Sequence, residues 1–457
     1  MTAPADYRTF LARKGQLEGD HGFEPDDMPT WLYDFQADLV SWACRKGRGA
    51  LFADCGMGKT PMQLAWAHQV NQRIGKPVLI VAPLAVSFQT QKEAAKFGVD
   101  AAVSRDGSVA AAITITNYDR LHLFDRAEWG GVVLDESSAI KSFDGERRRI
   151  VTDFARWMPY RLLATATAAP NDYIELGTSS EALGYLGHMD MLNRYFTNSQ
   201  HTSRGVRSWG TDKWRFKGHA EVPFWRWVSS WARAMRWPSD LGYSDEGFQL
   251  PDLRVRQHII DAREPAPDRL FDLPAVGLQE ERAESSRTVQ ERCEAAALAV
   301  SDADVAVLWC QLNKEGDALE RIVPNAVQVR GSDQPEDKEE KLRAFAEGEI
   351  SRLVTKPSIT GWGLNWQHCH RMSYFPSHSY EQWYQAVRRF WRFGQTSAVE
   401  VDVIATEGTS RMLENLQRKA EQADRMFQAL TAHMRDAHHI ERTVNHPHVV
   451  EVPSWVS

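Results

Sequence analysis

Along most of this chain, short continuous apolar runs alternate with longer stretches whose apolar residues recur every three to four positions. Continuous runs are what strands become when both faces of a parallel sheet are covered, and the stretches between them have the period of amphipathic helices. Strands are predicted at residues 50–52, 78–82, 112–116, 131–134 and 161–164, and again at 305–310, 326–329, 351–355, 371–375 and 399–404. Two α/β lobes, 31–186 and 250–406, account for that alternation. The stretch 187–249 between them differs in composition. Beyond the second lobe, Met412, Leu416, Ala423, Phe427, Leu430 and Met434 space out a helix within a C-terminal part, 407–457. Residues 1–30 carry Tyr7, Phe10, Leu11 and Phe23 among acids and are expected to form a strap on the first lobe.

Composition narrows the class. The chain has 457 residues, 43% of them hydrophobic and 25% charged, with a mean hydropathy of −0.47, which fits a globular protein and excludes a mainly disordered one. The longest apolar run, 77–86, is far short of a membrane span. The opening Met-Thr-Ala-Pro-Ala-Asp lacks the basic and apolar regions of a secretory signal, and the five scattered cysteines support neither a disulfide framework nor a C-x-x-C zinc site. A cytoplasmic location is therefore expected. With 54 basic and 61 acidic residues the net charge is −7, so any polyanion site must be local. The histidines, including His368, His370, His433, His438, His439, His446 and His448, show no paired metal-ligand spacing.

Candidate chemistry is concentrated in Ala53-Asp54-Cys55-Gly56-Met57-Gly58-Lys59-Thr60, between an apolar run and a helical stretch. Gly56 and Gly58 allow backbone N–H groups to turn toward an anion at a helix N-terminus. Lys59 can reach β- and γ-phosphates, and the Thr60 hydroxyl can ligate Mg²⁺. Further on, Val132-Val133-Leu134-Asp135-Glu136 is a buried strand ending in two acids. Asp135 can hold Mg²⁺ through water, and Glu136 can polarise an attacking water. In this order the two elements point to nucleoside-triphosphate hydrolysis with Mg²⁺.

Together with the second lobe, these motifs resemble superfamily 2 helicases and translocases of the Snf-like branch, in particular compact forms common in phages and bacteria. The most specific part is Gln385-Ala386-Val387-Arg388-Arg389-Phe390-Trp391-Arg392-Phe393-Gly394-Gln395, which is similar to the branch's Q-x-x-x-R-x-x-R-x-G-Q. The resemblance implies two RecA-like lobes, with Arg389 and Arg392 crossing the cleft to a transition-state phosphoryl group. It implies that Gln36 reads adenine. It also implies that Pro83 in 81–84, Asn117 in 115–118, and Gly363 and Asn365 in 360–365 contact nucleic acid. Thr165 and Thr167 in 164–168, and Gln385, would couple hydrolysis to movement. The chain departs from the pattern at Ser137-Ser138, after the acid pair, and at the bulky Trp362 and Trp366.

The inter-lobe stretch holds six of the 17 tryptophans (Trp209, Trp214, Trp225, Trp227, Trp231 and Trp237), and from Arg194 to Arg236 it has nine basic residues against two acids, a local +7. Interleaved cations and aromatics suit phosphate contact and base stacking. On a helix through 224–237, Phe224, Trp227, Val228, Trp231 and Met235 would share a core face while Arg226, Arg233 and Arg236 would lie off it and meet DNA. The reading is then an α/β protein of two RecA-like lobes with a Trp- and Arg-rich helical insertion, an ATP-driven DNA translocase or helicase acting on duplex more than on single-stranded DNA, and on RNA least. Two alternatives stay open: a nucleic-acid-binding scaffold with a silent ATPase site, and a phosphate-loop NTPase switch or kinase of another class.

Overall fold

The computed structural model describes residues 20–141, 145–198, 214–261, 278–360 and 365–443. Its first parallel sheet is built from β1 (Arg48–Ala53), β2 (Val78–Ala82), β3 (Ala101–Val103), β4 (Ile113–Asn117), β5 (Gly131–Asp135) and β6 (Tyr160–Ala164), so each of the five predicted strands is present to within two residues. Alternate residues explain the unbroken apolar runs. Phe52, Leu79, Val132 and Leu163 enter one core while Leu51, Ile80, Val133 and Leu162 enter the other, with helices covering both faces.

A short antiparallel ladder of β7 (Phe196–Asn198) and β8 (Trp214–Phe216) leads to the helix Glu221–Trp231. Phe224, Trp227, Val228 and Trp231 on that helix are fully buried, as their spacing requires. The helix does not run on to residue 237. Its N–H ladder ends where Ala232 turns extended, at φ −128° and ψ 149°, and β9 (Ala232–Met235) follows. β9 pairs in parallel with β1, giving the order β3-β4-β2-β5-β6-β1-β9. The inter-lobe stretch therefore supplies the seventh strand of the first sheet, and its Trp225, Trp227 and Trp231 enter that lobe's core, where Trp231 meets Phe52 edge-on at 6.2 Å.

The second sheet is also parallel, with order β10-β15-β14-β11-β13-β12. Its strands are β10 (Leu253–Ile259), β11 (Ala306–Trp309), β12 (Ala326–Gln328), β13 (Arg352–Thr355), β14 (Arg371–Tyr374) and β15 (Val399–Ala405). Here too all five predicted strands form. β10 was not predicted, because it lies at the sheet edge and carries Arg254, Arg256, Gln257 and His258 in place of an apolar run.

The helix Ser410–Thr443 joins the lobes. At roughly 1.5 Å per residue it is about 50 Å long. Its Leu416 and Ala423 pack with Tyr380 beside the second lobe, whereas Met426, Phe427, Leu430 and Met434 enter the core of the first. Of the N-terminal strap, residues 1–19 lie outside the described residues. His21, Gly22 and Phe23 donate their N–H groups to the carbonyls of Lys46, Arg45 and Cys44, each at 3.0 Å, capping the helix Asp34–Lys46.

Candidate active site

Because β1, β5 and β6 are neighbours and parallel, the turns after them gather at one edge of the first sheet, where ligands bind in open α/β folds. The turn after β1 is the glycine-rich loop. Gly56 and Gly58 have φ of 90° and 79°, a region that strains any residue with a Cβ, and the helix Lys59–Ile74 starts directly behind them. Lys59 Nζ donates to Ala53 O at 3.1 Å, folding back over the loop, and Thr60 occupies the first turn of the helix. Gln36 Nε2 donates to Met57 O at 3.0 Å while its Oε1 accepts from Tyr33 N at 3.1 Å. Its side chain thus fixes both the loop and the start of its own helix. The loop is tied to β9 as well, through Asp54 N and Met235 O at 2.9 Å.

Asp135 ends β5 with Oδ1 accepting from Gln63 Nε2 at 2.6 Å and its carbonyl accepting from Tyr118 OH at 2.6 Å. Glu136 follows in the left-handed region, with φ of 49°, unusual for a residue other than glycine. Thr165 Oγ1, just after β6, donates to Glu136 Oε2 at 3.3 Å and accepts from Thr167 N at 3.1 Å, so of the two predicted coupling threonines Thr165 touches the acid pair and Thr167 touches Thr165. Burial, together with the charge of Glu136, pushes Asp135 up to about 7 against the opposing Gln63 hydrogen bond and Lys59 charge. Two buried carboxylates beside a helix-start hydroxyl form an all-oxygen donor set that fits a hard divalent cation.

The second lobe completes the site. The helix Tyr380–Val387 and the turn after it bring Gln385, Arg388, Arg389 and Arg392 to a cavity of about 530 Å³ that is also lined by Gly56, Gly58, Lys59, Thr60, Asp135 and Glu136. Burial depresses Arg389 to about 9 and also lowers Arg392, whose Nε has no hydrogen-bond partner. Two cations deprived of water, set opposite a phosphate loop, are arranged to receive an anion.

No protein-family model matches the chain. It does align with two animal proteins. One is the chromatin-remodeling ATPase INO80 of Drosophila melanogaster, at 26% identity over 193 residues, 36% of this chain and 11% of that one. The other is the SWI/SNF-related matrix-associated actin-dependent regulator of chromatin subfamily A-like protein 1 of Xenopus tropicalis, at 27% identity over 193 residues, 40% of this chain and 20% of that one. Over that span the chain is similar to these Snf-like proteins. The matched span is about a tenth to a fifth of each relative's length. The fold matches the Mycobacterium smegmatis helicase Lhr, solved with ssDNA and AMP-PNP, at a TM-score of 0.51 and 15% identity over 84% of this chain and 48% of that one.

Of the residues that Snf-like motifs assign to nucleic acid, Pro83 caps the helix Leu84–Lys96 and is half-exposed, and Asn365 is exposed at the cavity rim. Gly363 lies outside the described residues. Asn117 is different: it is buried, and its Oδ1 accepts from Asp119 N and Arg120 N, both at 3.1 Å, so it caps a 3₁₀ turn. The three arginines expected to meet DNA also separate. Arg226 is exposed. Arg233 is 3% exposed within β9, its Nη1 donating to Ser229 O and its guanidinium 4.4 Å from the Trp42 ring centre. Arg236 pairs with Asp424 at 2.7 Å and covers Phe427 on the C-terminal helix. Local charge was the signal for these three, and it does not reveal which cations the fold itself uses.

Sequence reasoning missed Gln63, although it lies four residues after Lys59 on the same helix face, the spacing at which side chains meet. It also missed Asp54, Tyr384 and Arg388, whose contacts run between lobes and have no local signature. Among the described residues no helix is long and apolar enough to cross a membrane.

Proposed function

We propose that the chain is an ATP-dependent DNA translocase that hydrolyses ATP between its lobes and moves along duplex DNA. The observation that carries this reading is the single cavity lined by the phosphate loop, the acid pair and the arginines of the opposite lobe. In it, the loop N–H groups and Lys59 hold the β- and γ-phosphates. Thr60 and Asp135 are the residues that would hold a magnesium ion, which when bound offsets the negative charge of those phosphates. Glu136, oriented by Thr165, accepts a proton from a water whose oxygen bonds to the γ-phosphorus as the bond to the ADP oxygen breaks. Arg389 and Arg392 meet the charge that spreads over the transferring group.

Movement follows if occupancy by ATP draws the arginines, and with them the second lobe, toward the loop, and loss of the γ-phosphate releases them. Support for DNA as the track comes from the chromatin function in the names of both relatives and from the strand bound to Lhr. Pro83, Asn365 and Arg226 are the proposed contacts. The test is the ATPase rate of the whole chain alone and with duplex DNA, single-stranded DNA and RNA. The reading predicts the largest stimulation by duplex. Equal rates in all four conditions would instead favour a nucleotide switch, and no hydrolysis in any of them a scaffold with a silent site.

A further inference from the structure

The helix Tyr380–Val387 carries a second device on the face that meets the first lobe. Glu381, Tyr384 and Arg388 stand at i, i+3 and i+7, one stripe of a helix, and all three reach across the cleft. Glu381 pairs with Lys141, five residues beyond Glu136. Tyr384 OH donates to Asp54 Oδ1, and Arg388 Nη2 pairs with Asp54 Oδ2, inside the phosphate loop. We propose that Asp54, Tyr384 and Arg388 form a positioning unit that sets Arg389 and Arg392 against the phosphate loop, making engagement of this clasp a condition for rapid turnover. The inference rests on the cavity being the ATP site.

The groups in this clasp are already committed to one another. The Arg388 side chain is 9% exposed and that of Asp54 4%. Arg388 Nη1 donates to Trp391 O at 3.2 Å, and its guanidinium lies between the Tyr384 and Trp391 rings, at 5.5 and 4.5 Å from their centres. Asp54 Oδ1 also accepts from Cys55 N at 2.5 Å, so the carboxylate holds the loop backbone and the opposite lobe together. Burial alone would weaken the Arg388 cation, but the Asp54 carboxylate together with Tyr384 and Cys55 outweighs it and raises its pKa, whereas Arg389 and Arg392 are both lowered. The three arginines thus differ in role: Arg388 is held by Asp54, while Arg389 and Arg392 line the cavity opposite the phosphate loop.

Position follows from covalent geometry. The Cα of Arg389 is about 3.8 Å from that of Arg388, so fixing one fixes the other's backbone. The two segments are also in van der Waals contact. A Cβ at Gly56 would come within 2.8 Å of Phe393 N, which leaves no slack between the loop and the turn bearing Arg392. Displacing transition-state donors by an ångström can cost about 10²-fold in rate while leaving ground-state binding nearly intact.

The experiment is a double-mutant cycle on the whole chain with saturating duplex DNA, using Asp54→Asn, Arg388→Gln and the double variant, with kcat and KM for ATP, binding of a non-hydrolysable ATP analogue and thermal melts. The expected result is a fall in kcat of about 10²-fold in each single variant, analogue affinity within about threefold of the parent, and a double variant no slower than the worse single one, because the pair acts as a unit. Tyr384→Phe, which removes only one hydroxyl, should lower kcat by about three- to tenfold at an unchanged melting temperature, and it carries the test if a charge variant fails to fold. An unchanged kcat in Tyr384→Phe and in any folded charge variant, or losses that multiply in the double variant, would overturn the inference. A parent chain that neither binds nor hydrolyses ATP would overturn the reading of the cavity beneath it, a distinct outcome.

Discussion

Asp135 and Glu136 are adjacent buried carboxylates, and their cost to the fold depends on pH. Asp135 is lifted from an ordinary 3.8 to about 7, so in this range the folded chain holds a proton that the unfolded chain has lost. The group therefore favours the folded state most below about pH 4, and this contribution is lost as pH rises to about 7. Denaturant titrations of the nucleotide-free chain should show a stability term that falls with pH across that window and is absent in Asp135→Asn. Parallel curves for the two proteins would refute the assignment. Lys59→Ala should weaken ATP binding itself. Glu136→Gln should retain ATP while turnover drops by about 10²- to 10⁴-fold, whereas Arg389→Ala or Arg392→Ala should cost about 10³-fold in kcat with little loss of affinity. Single-turnover hydrolysis beside equilibrium binding separates these cases, and normal hydrolysis by folded Glu136→Gln would remove the general base. These residues were legible in the sequence because each belongs to a short motif whose spacing is the chemistry. Asn117, Arg233 and Arg236 were not, since a cap, a buried guanidinium and an ion pair are defined by partners far along the chain or by a local turn that charge and polarity do not show.

At the scale of elements, the strands with both faces covered announced themselves as apolar-rich runs, and nine of the ten predicted strands are of that kind, the tenth, β12, being a half-buried edge strand. The strands that escaped lie at sheet edges. β3 has three half-buried residues, β10 is mostly polar, and β9 is a four-residue strand joined to a helix without a turn residue between them. A helical spacing that fits through Trp231 was therefore extended to 237. Trp227 and Trp231 are fully buried in the first lobe, so alanine at either should destabilise the chain by roughly 3 to 5 kcal/mol. Arg233→Ala should also destabilise, since it strips the cation from over Trp42 inside β9, while Arg226→Ala, on the exposed face, should leave the melt unchanged. Chemical denaturation of the four variants decides this. A stable Arg233→Ala with weakened DNA binding would restore that residue to the DNA surface.

For the molecule as a whole, the sequence yielded the two lobes but not the ties between them. The C-terminal helix places Lys419 Nζ 2.9 Å from Asn171 Oδ1 of the first lobe and 2.7 Å from His378 O of the second, while Lys141 with Glu381 and Asp54 with Arg388 close the cleft nearby. Apart from Lys419 with His378, 41 positions apart, these pairings join residues more than 200 positions apart, and no local pattern encodes them. The central claim is that hydrolysis in this cleft drives motion along DNA, and displacement of a third strand from a duplex track tests it most directly. The account predicts ATP-dependent displacement by the parent chain, without separation of the duplex strands being required, and none by Glu136→Gln even with ATP bound. Duplex-stimulated hydrolysis with no displacement, or displacement as fast by Glu136→Gln as by the parent, would contradict it.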